Sequence, residues 1–175
     1  MKEITDILRA YQSAKKQNLR AALATVVKVE GSSYRRAGAR MLITEDGQLT
    51  GAVSGGCLEG DALKKALSAI YQQKCKLITY DTTDEDDAKF GVQLGCNGIV
   101  HILFEPIDNS MEISPIAILD QLQGEREDAV LVTLFSLADE TQIGTVLVYK
   151  KGESLGNVPS TIASELLNDV KETLS

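Results

Sequence analysis

The sequence predicts an α/β or α+β protein, a single compact domain with a mixed β-sheet and flanking helices. Two patterns lead to this class. Stretches rich in β-branched residues alternate along the chain with stretches whose apolar residues recur at helical spacing. The length of 175 residues suits one domain and is enough to bury a substantial core.

The chain begins with a helix, a strand and a hairpin. Residues 3–18 place Ile, Leu and Tyr side chains on one helical face, which predicts an amphipathic helix. Residues 21–29 are β-branched enough for a buried strand. Two further strands, at 39–44 and 48–53, flank an Asp46-Gly47 turn signal, so we expect them to form a hairpin.

The middle of the chain continues with a second helix and two strands. We expect a helix to start at Ser54-Gly55-Gly56 and to run to about Gln73. Short strands follow at 76–80 and at 99–104, and Pro106 is expected to end the second of them. Between the strands lies an acidic loop or first helical turn at 81–87.

The last third predicts two strands and two helices. The strands are at 129–136 and 144–150, and the helices at roughly 113–123 and 160–173. We expect two parts of one domain. Residues 1–106 form a glycine-, arginine- and cysteine-bearing ligand-binding region, and residues 107–175 complete the sheet and helices.

Composition narrows the class of function. The net charge of −7 argues against a nucleic-acid-binding protein. The sequence contains no run of 18 apolar residues, and its N-terminus lacks the apolar core of a signal peptide, so no membrane span is expected. Three widely spaced cysteines suit a reducing compartment, which predicts a cytoplasmic protein.

The segment 30–61 contains the residues best suited to bind a ligand. It holds seven glycines, three arginines and one cysteine. Glycine lets the backbone come close to a ligand, arginine offers a planar fork of donors to phosphate or carboxylate, and cysteine can supply a thiolate. Together they predict a site for an anionic ligand beside a sulfur-reactive group.

Within this segment the junction Ser54-Gly55-Gly56-Cys57 resembles an anion site at a helix N-terminus. The alternative is a tight turn in which Ser54 only caps the helix. Cys57 is expected in the first helical turn, where the dipole favours thiolate. Cys96 lies in a second glycine turn and could meet Cys57 across one pocket. Alternatively, both thiols are small buried residues.

The charged residues near the junction have open roles. Arg40 leads into a strand and could aim its fork into the pocket. Arg35 and Arg36 are adjacent, so they point in opposite directions in extended chain. A solvated loop arginine is the alternative for each. Glu59 is an acid/base candidate or a partner for an arginine, although a carboxylate at a helix N-terminus needs no function.

Three other features have structural interpretations. Cys75 lies in a helix-to-strand turn without glycine partners. His101, the only histidine, lies in an apolar strand, so it offers no base for a nucleophile. Five carboxylates occur within residues 80–87 without the spacing of an EF-hand. We therefore expect a solvated or partner-docking acidic loop there and predict no metal site.

Three blocks of sequence resemble the XdhC/CoxI family, the maturation factors of molybdenum hydroxylases such as xanthine dehydrogenase and carbon monoxide dehydrogenase. The blocks are Gly31-Ser32-Ser33-Tyr34-Arg35-Arg36-Ala37-Gly38-Ala39-Arg40-Met41, Gly51-Ala52-Val53-Ser54-Gly55-Gly56-Cys57-Leu58-Glu59 and Leu94-Gly95-Cys96-Asn97-Gly98. Asn97 stands where the family usually has glycine, and asparagine tolerates the left-handed conformation. Many members add a C-terminal Rossmann domain, whose glycine-rich motif this sequence lacks, so we expect the N-terminal family domain, in a short member or a chain that stops before that domain.

The resemblance implies a molybdenum cofactor-binding chaperone, more a maturation factor than an enzyme. It would protect the sulfurated cofactor, as molybdopterin or its dinucleotide, and deliver it to a molybdenum hydroxylase apo-subunit. The implied cofactor-binding residues are Arg35, Arg36, Arg40, Ser54, Gly55, Gly56, Cys57, Glu59 and Cys96, with Cys57 handling sulfur. A cysteine desulfurase is an implied partner, and a homodimer stays open. The alternative is a cysteine-dependent enzyme acting on a small phosphorylated metabolite.

Overall fold

A computed structural model describes residues 2–83, 98–111, 113–124 and 127–174. These residues form four helices and eight strands. In chain order they are α1 (Lys2–Lys16), β1 (Ala21–Gly31), β2 (Arg40–Thr44), β3 (Leu49–Gly51), α2 (Glu59–Gln72), β4 (Lys76–Asp81), β5 (Gly98–Ile107), α3 (Pro115–Asp120), β6 (Ala129–Leu134), β7 (Gly144–Lys150), β8 (Glu153–Gly156) and α4 (Ala163–Thr173). No helix within these residues is long and apolar enough to cross a membrane.

The strands lie in two sheets. The first has five strands in the order β3-β2-β1-β5-β4, and the second has three in the order β6-β7-β8. Every pairing between the described strands is antiparallel. The predicted combination of helices and sheet in one compact fold is confirmed, although the strands divide between two antiparallel sheets where a mixed sheet was expected.

Helices cover both faces of the five-stranded sheet. Alternate residues of a strand point to opposite faces, so each strand contributes to two cores. On one face α2 packs on residues that include Ala24 and Met41. On the other face α1 and α3 pack on residues that include Leu23 and Leu42. We call these the α2 face and the α1 face.

The second sheet joins the first through a buried carboxylate. Glu105 of β5 is 2% exposed, and its carboxylate accepts hydrogen bonds from the backbone N–H and the hydroxyl of Thr145 at the start of β7. Gly144 permits this approach, because a Cβ there would lie 2.3 Å from Glu105 Oε1. The three-stranded sheet and α4 share a small core of their own around Val146, Leu147 and Val170.

One end of the five-stranded sheet gathers the loops of the glycine- and arginine-rich segment. The antiparallel order brings the C-terminal ends of β1 and β3 beside the N-terminal ends of β2 and β5. The helices α1 and α2 run antiparallel to the strands that follow them, so both helix N-termini point to this same end. We call it the loop end.

Several boundaries differ from the predicted ones. The helix expected from Ser54 begins at Glu59, because two glycines of low helix propensity precede it and Ser54 is bonded in a turn. Pro106 does not end its strand, which continues to Ile107. Strand β4 stops opposite Phe104, so the missing N–H of Pro106 interrupts no ladder there. The short strand β8 was not predicted.

Candidate functional site

A closed set of hydrogen bonds builds the turn before α2. The Ser54 hydroxyl donates to Glu59 Oε2 at 2.6 Å and accepts the N–H groups of Gly56 and Leu58, each at 3.1 Å. Glu59 Oε1 accepts the Ser54 N–H at 3.2 Å. Gly56 has a φ of 111°, which favours glycine. These bonds fix the turn from residue 54 to residue 59 and use Glu59 as a structural partner of Ser54.

Cys57 lies just before the helix and not in its first turn. The N-cap of α2 is Leu58, whose side chain makes no capping bond. Cys57 is half-buried and packs on the α2-face core. The expected placement inside the helix is therefore wrong, because the Ser54 turn delays the helix start. The sulfur nevertheless lies at the loop end, next to the helix N-terminus.

The first two sequence blocks meet at Tyr34 and Gly55. A Cβ on Gly55 would lie 2.8 Å from the Tyr34 ring, so the ring rests directly on the glycine backbone. Tyr34 is 71% exposed despite this contact. The aromatic ring forms an open wall beside the Ser54 turn, and its present position requires glycine at 55.

The third block reaches the same end through Gly98. A Cβ at this position would lie 2.3 Å from the carbonyl oxygen of Ser32, in the first block. Thr82 holds Gly98 from the other side, since the Gly98 N–H donates to the Thr82 hydroxyl at 2.9 Å. Cys96 and Asn97 lie outside the described residues, so the distance from Cys57 to Cys96 stays a prediction.

The three arginines have different surroundings. Arg36 is exposed on the loop. Arg35 Nη2 forms an ion pair at 2.5 Å with Glu3 of α1. Arg40 Nη1 donates to the Gly38 carbonyl at 2.7 Å, which braces the loop. Burial lowers the pKa of Arg40, while the charges of Glu105 and Glu3 act in the opposite direction.

The register of β1 and β2 determines the face of the sheet on which Arg40 lies. Arg40 stands opposite Thr25, and Met41 stands opposite Ala24. Met41 and Ala24 belong to the α2-face core on which Cys57 packs, so Arg40 and Thr25 point to the α1 face. The structure therefore places Cys57 and Arg40 on opposite faces of the sheet at its loop end.

Other residues have structural partners. The His101 ring is buried between the Thr79 hydroxyl at 2.9 Å and Glu30 at 3.0 Å. Asp61 accepts the Tyr80 hydroxyl at 2.8 Å. Burial, followed by the charge of Glu105, raises the pKa of Cys75 to about 12. Most of the acidic segment lies outside the described residues, and the described ones form no cluster suited to a metal ion.

Sequence reasoning missed Tyr34, Glu3 and Thr25 as members of this region. Tyr34 stands within a quoted block, yet its contact with Gly55 depends on the fold. Glu3 is remote in sequence from Arg35. Thr25 is a lone hydroxyl in an apolar run, and its register with Arg40 depends on a pairing of β1 with β2 that the sequence did not predict.

Comparisons with known proteins agree with the sequence blocks. Residues 14–81 match the XdhC and CoxI family. The chain is 47% identical over 87 residues to a probable xanthine dehydrogenase subunit of Bacillus subtilis, covering 50% of this chain and 26% of that protein. It is 30% identical over 143 residues to the molybdenum cofactor insertion chaperone PaoD of Escherichia coli, covering 79% of this chain and 43% of that protein.

A solved structure shares the fold. The crystal structure of a xanthine dehydrogenase from Bacillus halodurans matches with a TM-score of 0.66 and 30% identity, over 89% of this chain and 46% of that chain. The chain thus spans less than half the length of each of these relatives. The family match begins near the end of α1 and ends with β4, so it contains the first two blocks and the whole of α2. This segment of the chain therefore matches the XdhC and CoxI family, as the sequence blocks predict.

Proposed function

We propose that the chain is a maturation factor that binds molybdenum cofactor as cargo and delivers it to a molybdenum hydroxylase. The observation that supports the proposal is that the first two sequence blocks and the N-termini of α1 and α2 meet at the loop end. The E. coli relative, which matches 79% of this chain, is named a molybdenum cofactor insertion chaperone.

The chemistry of the loop end suits this cargo. Molybdenum cofactor is an anionic pterin that carries a phosphate and a dithiolene. Helix N-termini attract anions through their free N–H groups and the positive end of the dipole. The exposed Arg36 adds a donor fork for phosphate. The Tyr34 ring offers an aromatic surface for the planar pterin.

Cys57 is the proposed contact for the sulfur-bearing part of the cargo. It lies beside the Ser54-Gly55-Gly56 turn, which the Ser54–Glu59 bonds hold in place. We propose that Cys57 contacts the dithiolene or molybdenum region, or carries sulfur to it, and that Cys96 approaches from the third block. A cysteine desulfurase would then be the sulfur donor, and the cytoplasm the compartment.

The alternative of a cysteine-dependent enzyme has less support. A nucleophilic cysteine needs a base, and the single histidine of the sequence is buried between Thr79 and Glu30. The hydroxyl and carboxylate nearest along the chain, Ser54 and Glu59, are bonded to each other. These observations favour a carrier, in which the thiol binds or transfers sulfur without general base catalysis.

Reconstitution tests the proposal. The apo-hydroxylase is mixed with cofactor, the desulfurase and either the chain or its Cys57→Ser variant. We expect the variant to fold normally and to lose most of the activation, while Cys75→Ser, a matched control outside the loop end, retains it. Full activation by Cys57→Ser would reduce Cys57 to a packing residue. No activation by the unmodified chain would reject the maturation role.

A further inference from the structure

The α1 face of the loop end contains three buried polar atoms without a hydrogen-bond partner among the described residues. They are Thr25 Oγ1, Arg35 Nε and Arg40 Nε. Thr25 as a whole is only 2% exposed. A buried polar group without a hydrogen-bond partner lowers the free energy of unfolding by about 1–3 kcal/mol. Three such groups in one region therefore indicate a ligand-binding site.

The three atoms belong to one neighbourhood. Thr25 and Arg40 are directly opposite each other on adjacent strands and point to the same face. Burial lowers the pKa of Arg40, and the nearby charge of Glu3 opposes this effect. Glu3 is also paired with Arg35 at 2.5 Å. Glu3 therefore lies next to both arginines, at the N-terminal end of α1.

The donors specify the class of ligand. Two guanidinium groups and a hydroxyl together present N–H and O–H groups, and a carboxylate already fills part of the space. Forked donors of this kind suit an oxyanion. We propose that Thr25, Arg35 and Arg40 form a binding site for a phosphate-sized oxyanion, and that the Glu3 carboxylate competes with this ligand for Arg35.

This site is separate from the turn that contains Cys57. It lies on the opposite face of the sheet, and the side-chain hydrogen bonds of Arg35 and Arg40 go to Glu3 and to the Gly38 carbonyl. The oxyanion can be free inorganic phosphate or the phosphate group of a larger ligand bound over the loop end. Only the second source rests on the proposed function, since the first needs no molybdenum cofactor.

Calorimetric titration with inorganic phosphate at low ionic strength tests the site. Glu3→Gln removes the competing charge and should tighten phosphate binding about 10- to 100-fold. Asp6→Asn, on the same helix, makes the same change of charge and should have little effect. Thr25→Val removes one neutral donor at almost constant volume and should weaken binding about 2- to 10-fold.

Thermal unfolding of each variant separates binding from folding. If Glu3→Gln binds phosphate no more tightly than Asp6→Asn, or if Thr25→Val binds it as well as the unmodified chain, the site is rejected. Addition of molybdenum cofactor to the phosphate-bound Glu3→Gln variant then distinguishes the two sources. Displacement of phosphate assigns the site to the phosphate of the cofactor, and retention assigns it to a free oxyanion. Failure of cofactor binding with phosphate binding intact would reject the proposed function alone.

Discussion

Ser54 is the residue on which the turn before α2 most depends. Its hydroxyl accepts two backbone N–H groups and donates to Glu59. Because Leu58 is buried, its N–H cannot regain a water partner when the hydroxyl is removed. We expect Ser54→Ala to lower the free energy of unfolding by about 1–3 kcal/mol in urea denaturation. The exposed Ser160→Ala should change it by under about 0.5 kcal/mol, and equal effects of the two variants would contradict the turn's structure.

Gly55 and Gly98 should respond differently to alanine. At Gly98 the new Cβ would lie 2.3 Å from a backbone oxygen that cannot move freely, so we expect a loss of about 2–3 kcal/mol of stability. At Gly55 the clash is with the exposed Tyr34 ring, which can rotate away, so the loss should be under about 1 kcal/mol. Denaturation curves that rank the two variants in the reverse order would contradict this account.

Cys57 and Cys75 should differ in reactivity. Burial raises the pKa of Cys75 to about 12, so almost none of it is thiolate at neutral pH. Both cysteines are half-buried, but Cys57 lies at the loop end, beside the N-terminus of α2. Alkylation at pH 7, resolved by peptide mass, should modify Cys57 first, and faster modification of Cys75 would argue against Cys57 as the sulfur-handling residue.

Among the elements, β5 and β7 are joined by a titrating group. Burial raises the pKa of Glu105 above its ordinary value of 4.5, against the opposing effects of the Thr145 hydrogen bonds and of Arg40. At pH values between 4.5 and the raised pKa, Glu105 is protonated in the folded chain and ionised in the unfolded chain. This contribution to stability is fully present below pH 4.5 and is lost as the pH rises through the folded pKa.

The Glu105→Gln variant isolates this effect. Glutamine has nearly the same shape and does not titrate. Urea denaturation between pH 4.5 and 8 should show the unmodified chain losing stability relative to the variant as the pH rises, by at most about 1.4 kcal/mol per pH unit. Parallel pH profiles for the two proteins would show that Glu105 is ionised in the folded state.

The elements that the sequence predicted are those whose signals are local. Helix α1 and the hairpin of β2 and β3 follow from side-chain periodicity and the Asp46-Gly47 turn. The start of α2 could not be predicted, since it depends on the Ser54–Glu59 bonds across the turn. The strand through Pro106 depends on where a neighbouring strand stops. The division into two sheets depends on contacts such as Glu105–Thr145, which join residues far apart in sequence.

For the molecule as a whole, the sequence predicted which blocks come together but not how they are arranged. The three blocks were recognisable from residue type and spacing, and the described parts of all three meet at the loop end. The strand register then places Arg40 and Cys57, which the sequence had assigned to one site, on opposite faces of the sheet. Arg40 faces Thr25 and α1, whereas Cys57 packs under α2. No local pattern reveals on which face a residue at the start of a strand will lie.

Hydrogen–deuterium exchange with isolated molybdenum cofactor would locate the cofactor site, because it maps binding without assuming which side chains take part. We expect slower exchange on cofactor addition in peptides that cover residues 32–39 and 53–58, at the loop end. Peptides that cover the hairpin turn at residues 45–47, at the opposite end of the sheet, should be unchanged. Protection confined to β6, β7 and β8, or no protection at any peptide, would contradict a cofactor site at the loop end.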